Sequence, residues 1–295
     1  MTSREKIIDH LADIRFEGGP IGVLLVHSLG GSPAELRFVA QALARSGYTV
    51  HCPVIPGLAG GTDVSGLSRW TDWYSAVEAA HEALAAQCEV VLVGGLSAGS
   101  ILALRLAAMR PDKVQGLMLF APTLEPNGWA IPWYFKFFHL VRERFTARLF
   151  HFQQRAPYGI KDERIRKFVM DSFASGQRPI EDLFGRGGIM VFEFLRLVRE
   201  VRRLLGSIRQ HTLIFHPRHD DQSDLANAMT LQRKLAGTVE VCVLDDSYHM
   251  VTLDRQRVYV VDRTIDFTHR LTERIAEAAA VSRMRHRVNA VAAAE

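Results

Sequence analysis

Short, uninterrupted apolar runs alternate with stretches of helical periodicity along most of this chain, and that alternation constrains the fold more than any other feature. Residues 21–27 (IGVLLVH) are bounded by Gly19-Pro20 and by Ser28-Leu29-Gly30-Gly31. A continuous run of this kind suits a strand buried on both faces. Residues 33–46 carry Leu36, Val39, Ala40 and Leu43 at helical spacing, with Pro33 suited to a first turn and Gly47 to a stop. The same reasoning predicts strands at 48–54, 90–94 and 114–120, and helices at 70–87 (opened by Thr71 or a neighbour) and 97–110. After residue 210 the pattern resumes with a strand at 212–216, a helix at 223–236, a strand at 239–244 and a long helix at 254–275. Strands alternating with helices predict an α/β fold, a mostly parallel sheet flanked by helices.

Between Pro122 and Gly206 the alternation stops. This stretch holds 11 of the 16 phenylalanines, which points to an inserted helical cap with an apolar lining rather than a linker. Residues 1–121 and 207–275 then form one core, 122–206 the cap, and 276–295 an Ala-rich tail, read as a frayed helix or disordered. Over residues 126–205 fifteen Lys and Arg face eight Asp and Glu, a local net of +7 against +4 for the whole chain. The cap is basic and the remainder slightly acidic.

Composition excludes several classes. The most apolar long stretch, residues 128–141, has 14 residues and includes Lys136 and His139, too short to span a bilayer. Residues 1–19 are rich in charge and lack the apolar core of a secretory leader. Cys52, Cys88 and Cys242 are odd in number and widely spaced, so neither a disulfide framework nor a zinc site is expected, and a reducing cytoplasm fits. No compact basic patch or motif for nucleic acid is present.

Chemistry concentrates at four strand ends. Gly95-Leu96-Ser97-Ala98-Gly99 follows an apolar strand and opens a helix, the context of a nucleophilic serine on a tight turn. A bland reading also exists, a glycine-rich turn capped by a serine. His27-Ser28-Leu29-Gly30-Gly31 ends the first strand. An acyl-transfer site needs two backbone donors for its oxyanion; Ala98 N–H and Leu29 N–H are placed to be those two. His27 reads as a structural histidine that ties this loop together. His216-Pro217-Arg218-His219-Asp220-Asp221 follows one late strand, and Asp246-Ser247-Tyr248-His249 follows the last. A serine, an acid and a histidine at strand ends, in that chain order, fit a triad in which neutral His249 takes the Ser97 proton and a carboxylate holds its tautomer. Spacing alone leaves Asp220 and Asp221 equivalent; Asp245 and Asp246 are more remote. Such a site needs no cofactor and no metal.

With these motifs the core resembles bacterial carboxylesterases and monoacylglycerol lipases of the α/β-hydrolase superfamily. The resemblance covers about residues 21–121 and 210–270 and is carried by Val23-Leu24-Leu25-Val26-His27 with Gly30-Gly31, by Gly95–Gly99, by Arg218-His219-Asp220 and by His249-Met250-Val251-Thr252-Leu253-Asp254. It implies Asp220 as the acid and Leu29 as the oxyanion residue beside Ala98. The chain departs from the family where His-Gly becomes His27-Ser28, where Pro-Gly-His-Gly becomes Pro56-Gly57-Leu58-Ala59, and across the whole cap. These departures bear on the substrate rather than on the triad.

The expected activity is therefore hydrolysis of a carboxylic ester with an acyl chain of medium or longer length. The same residues serve an acyl-thioesterase or an acyltransferase, and a non-catalytic binding protein of this fold is the rival from another class. The basic aromatic cap admits three roles: a solvated face, cations flanking an acyl pocket for an anionic acyl carrier, or peripheral contact with an anionic membrane.

Overall fold

In the computed structural model the first hydrophobic run becomes an inner strand of a seven-stranded sheet, next to the central one. The structure describes residues 12–60, 62, 68–174 and 185–292. The sheet contains β1 (Ile14–Phe16), β2 (Ile21–Val26), β3 (Thr49–Cys52), β4 (Val90–Leu96), β5 (Gly116–Phe120), β8 (His211–Pro217) and β9 (Val239–Leu244), while β6 (His151–Gln153) and β7 (Gly185–Gly187) pair apart from it. Its order is β1-β3-β2-β4-β5-β8-β9, parallel except for β1, which runs antiparallel against β3. This is the expected α/β architecture. Edge strand β1 escapes sequence reading because three residues cannot show a period.

The pleat sends alternate side chains to opposite faces. Leu24 and Val26 of β2, Val91 and Val93 of β4, and Leu117 and Leu119 of β5 enter one core with helices α2 (Trp70–Ala85) and α3 (Ala98–Met109). Val23 and Leu25, Leu92 and Leu96, and Met118 and Phe120 enter the other, with α1 (Arg37–Arg45) and α8 (Arg257–Ala292). The continuous apolar runs exist because both faces are covered. The Asp72 carboxylate accepts Arg69 N–H at 2.8 Å, so α2 starts at Trp70 as expected and its cap is Arg69, two residues before Thr71.

The insertion holds a 3₁₀ helix (Trp133–Leu140), α4 (Arg144–Ala147), the β6–β7 pair, α5 (Glu163–Ala174) and α6 (Gly188–Leu204). The two-stranded pair was not expected; Gly185-Arg186-Gly187 argues against a strand by composition. Phe135, Phe138, Ala147 and Val191 form a small core of the insertion. Its last helix behaves differently: Phe194, Leu197, Val198 and Val201 of α6 are buried in the main core with α3. Residues 175–184 of the cap lie outside the described residues, as do 1–11 and 293–295.

Helix α8 runs unbroken from Arg257 to Ala292, carrying the helix expected at 254–275 on into the Ala-rich segment. Residues 276–292 contain no Gly or Pro and many Ala and Arg, so intrinsic helix propensity carries the helix past its packed part. Helix α7 (Ala226–Lys234) completes the fold. Among the described residues no helix is long and apolar enough to cross a membrane.

Candidate active site

Strand β4 delivers Ser97 to its C-terminal end in a backbone conformation that side chains rarely adopt, φ 54° and ψ −111°. Such a conformation costs on the order of 1–3 kcal/mol and must be held by its surroundings. Ser97 N–H donates to Phe120 O at 2.8 Å, and Ser100 Oγ donates to Gly95 O at 2.6 Å. The flanking glycines are needed for space: a Cβ on Gly99 would lie 2.1 Å from Val26 O, and one on Gly95 2.3 Å from the Gly99 carbonyl carbon. The turn therefore tolerates only glycine on both sides of the serine. Ala98 opens α3 immediately afterwards, and its N–H lies in the first turn, beyond the reach of intrahelical acceptors.

The loop after β8 carries Asp220, the expected acid. Asp220 Oδ1 accepts the N–H groups of Gln222 (2.8 Å) and Ser223 (2.9 Å) from its own loop. His249 Nδ1 lies 2.8 Å from Asp220 Oδ2 and 3.0 Å from Oδ1. Because the carboxylate can only accept, Nδ1 carries the proton and Nε2 keeps its lone pair. His249, on the loop after β9, and Asp220 are both buried, with 1% and 2% of their surface exposed. Asp221 points elsewhere, accepting Gly159 N–H at 2.8 Å and His249 N–H at 3.2 Å. Burial pushes its carboxyl above the usual range, and the neighbouring Asp220 charge adds to this. Asp245 pairs with Arg218, and Asp246 with Lys161 at 2.7 Å; both face solvent.

Ser97 connects to this pair through residues that sequence reasoning passed over. Ser97 Oγ is 3.2 Å from Thr123 Oγ1, which donates to Ser223 Oγ at 3.1 Å. Ser223 N–H in turn binds Asp220. Ser97, Asp220 and His249 thus belong to one hydrogen-bonded cluster. Thr123 has no motif of its own; its signal is its place just past the end of β5, at the same edge of the sheet.

His27 plays the structural part expected of it. Its Nε2 accepts Ile55 N–H at 3.1 Å, so the proton sits on Nδ1, which donates to Ser28 O at 2.9 Å. Full burial lowers its pKa to about 4, and it stays neutral. Glu35 holds the same loop by accepting Ser28 N–H and Ser28 Oγ, each at 3.0 Å. Gly30 N–H goes to Leu58 O and Gly31 N–H to Ser28 O; among the described residues Leu29 N–H has no such protein acceptor. His216, behind Asp220, donates from Nε2 to Ser223 O at 2.8 Å, and burial lowers its pKa. Among the described residues no group of three or more His, Cys, Asp or Glu is arranged to hold a metal ion, and all three cysteines are free.

The insertion reaches the loops of Asp220 and His249 directly. Gly128 N–H donates to Gln222 O and Ala130 N–H to Asp221 O, both at 2.9 Å. Trp129 Nε1 donates to His219 O at 3.1 Å, and its ring meets Tyr248 edge-on at 5.5 Å.

Comparison with known proteins bears on the fold and the family. The chain is 27% identical over 272 residues to a thermostable monoacylglycerol lipase of Bacillus sp. strain H-257, covering 90% of this chain and 98% of that one. It is 22% identical over 268 residues to a carboxylesterase of Bacillus subtilis strain 168, covering 87% and 95%. The crystal structure of Paleococcus ferrophilus monoacylglycerol lipase superposes with a TM-score of 0.72 at 16% identity, covering 88% of this chain and 99% of that one. The model of the alpha/beta hydrolase family matches residues 23–263, from the first core strand into the last helix, and the chain belongs to that family.

Proposed function

We propose that this chain is a serine hydrolase that cleaves carboxylic esters through an acyl-enzyme on Ser97. The observation that carries the reading is the pair of Asp220–His249 contacts, 2.8 and 3.0 Å, hydrogen-bonded through Ser223 and Thr123 to a serine held at φ 54°. His249 Nε2 takes the Ser97 proton as Oγ bonds to the ester carbonyl carbon. Asp220 stabilises the imidazolium without itself taking the proton. The oxyanion receives Ala98 N–H and Leu29 N–H. Collapse expels the alcohol, protonated by His249, and water repeats the sequence to release the acid. No cofactor enters the scheme.

The relatives' names support an ester substrate, and a medium or longer acyl chain is our reading of the buried serine, 8% exposed. The insertion's rings give this less help than their number suggested. Phe135, Phe138, Phe150 and Phe152 pack on one another with centroids 4.8–6.4 Å apart. An acyl-thioesterase or an acyltransferase would use the same groups, and product analysis separates these from an esterase. The outward rings of the insertion, with Lys136 beside them, support peripheral contact with anionic lipid over contact with a polar acyl carrier.

The test is hydrolysis of p-nitrophenyl esters of increasing chain length. Each methylene buried should add at most about 0.8 kcal/mol, roughly fourfold in kcat/KM, until the site is full. Ser97→Ala should lower kcat on the order of a millionfold. Wild-type protein that no fluorophosphonate labels would instead indicate a binding protein, and a flat length profile would remove the acyl-length reading.

A further inference from the structure

Two fully buried carboxylates, Asp221 and Asp254, stand beside the acid–base pair without belonging to it. Each gathers backbone N–H groups from two distant parts of the chain. Asp221 takes Gly159 N–H on Oδ2 at 2.8 Å and His249 N–H on Oδ1 at 3.2 Å. Asp254 takes Lys161 N–H (2.9 Å) and Tyr248 N–H (2.7 Å) on Oδ2, and Asp162 N–H (2.9 Å) on Oδ1. A direct bond, Met250 N–H to Gly159 O at 2.8 Å, lies between them. One side of every link is residues 159–162 of the insertion; the other is residues 248–250, which carry the histidine.

The contact reaches His249 itself. Gly159 adopts φ +79°, and a Cβ there would lie 2.8 Å from Met250 Cγ and 3.3 Å from His249 Cβ. Asp220 governs the tautomer and tilt of the imidazole through Nδ1. It does not govern where the backbone of 248–250 sits, and those residues belong to neither a strand nor a helix. The Tyr248 N–H is partly buried and the His249 N–H buried, so both need acceptors, and charged acceptors hold them firmly.

We propose that Asp221 and Asp254 are positioning residues for His249, clamping the histidine loop to residues 159–162 so that the seating of the insertion sets the place of the imidazole. This rests on the serine hydrolase reading above. A displacement of about 1 Å at a reacting group is worth on the order of a hundredfold in rate, so a loose clamp is expressed in the chemistry.

The experiment uses the full chain with Asp221→Asn, Asp254→Asn and Gly159→Ala. An amide keeps one acceptor and turns an NH₂ toward the other N–H; Gly159→Ala leaves both carboxylates intact and crowds the contact instead. Two quantities are read with a fluorophosphonate at Ser97, the rate of labelling and its final stoichiometry, alongside kcat and KM for a short ester. Expected are labelling rates and kcat lowered about 10- to 100-fold with KM changed less than about threefold. Global unfolding lowers the stoichiometry instead and leaves the surviving chains labelling at the wild-type rate, which overturns the proposal. If an Asp variant yields no folded protein, Gly159→Ala decides by the same readout. Wild-type protein that fails to label removes the hydrolase reading and the clamp with it; labelled wild type with variants of equal rate removes the clamp alone.

Discussion

Adjacent aspartates at 220 and 221 have opposite duties, and the difference is one of side-chain direction. Asp220 faces an ionisable ring, whereas Asp221 faces two backbone amides. Asp220→Asn should therefore lower kcat by about four orders of magnitude, since an amide favours the wrong His249 tautomer. Asp221→Asn should cost far less, and a steady-state comparison that reversed this order would reverse the assignment. His27 has a consequence for stability. Its pKa falls from 6.5 to about 4 on folding, so the unfolded chain binds a proton that the folded chain refuses. Stability from this group is whole above pH 6.5 and is lost as pH falls toward 4, by about 3 kcal/mol in all. Urea unfolding between pH 7 and 4 should show a shallower loss in His27→Gln than in wild type, and equal slopes would mean that His27 is not kept neutral. Spacing could not separate Asp220 from Asp221 because neighbouring residues share a chain position and differ only in orientation. Asp254, visible in the sequence, gave no sign of its work, because two of its three partners lie 92 and 93 residues away.

At the scale of elements, the apolar runs were legible because burial on both faces leaves no polar position to blur them. The strand 239–244 is found where its sequence puts it, and β2, β4, β5 and β8 agree to within two residues at each end. The insertion was legible as an interruption of helical character, which α5 and α6 bear out. Its short pieces, the three-residue strands β6 and β7 among them, have no periodicity long enough to read, and its ring-rich composition does not say which rings face one another. The helix that returns the chain to the core, α6, depends on a buried charge. Glu193 is fully buried, accepts Trp70 N–H at 3.3 Å, and lies 3.5 Å from Arg196 Nη1 and 3.7 Å from Arg144 Nε. Arg144 also donates to Ser68 O at 2.8 Å, so one cluster joins α4 and α6 to the start of α2. Glu193→Ala strands the Trp70 amide and two guanidinium groups; because both arginines are partly exposed, the expected cost is about 2 kcal/mol rather than that of a fully buried pair. A urea midpoint unchanged from wild type would show that water replaces the carboxylate without loss.

Across the whole molecule, charge and exposed apolar surface are gathered on the same part of the chain. Residues 126–205 carry a net of +7 while the entire chain carries +4, which leaves the rest at −3. On the 3₁₀ helix Trp133–Leu140, with three residues per turn, Tyr134, Phe137 and Leu140 fall in one row, and Trp133 and Lys136 in the next. Trp133 and Leu140 are each 74% exposed, Phe137 52% and Tyr134 50%, while Phe135 and Phe138 of the third row are buried. Lys136 Nζ lies 5.4 Å from the Phe137 ring centroid, so a cation and the rings share one face. Phe145 (74% exposed) and Leu149 (80%) extend the apolar surface of the insertion. A row of exposed rings has no use in water, but at a lipid surface the rings enter the interface and each cation near an anionic headgroup adds about 1 kcal/mol. The protein is expected to sediment with vesicles of phosphatidylglycerol and phosphatidylcholine, and less with phosphatidylcholine alone. Added salt should release much of it, because the cations act through a screened field. Trp133→Ala combined with Phe137→Ala should weaken vesicle binding by about tenfold or more, while hydrolysis of a short soluble ester stays as in wild type, because neither ring contacts Ser97, Asp220 or His249. Vesicle binding that ignores both the double substitution and the anionic lipid would show that this face does not dock.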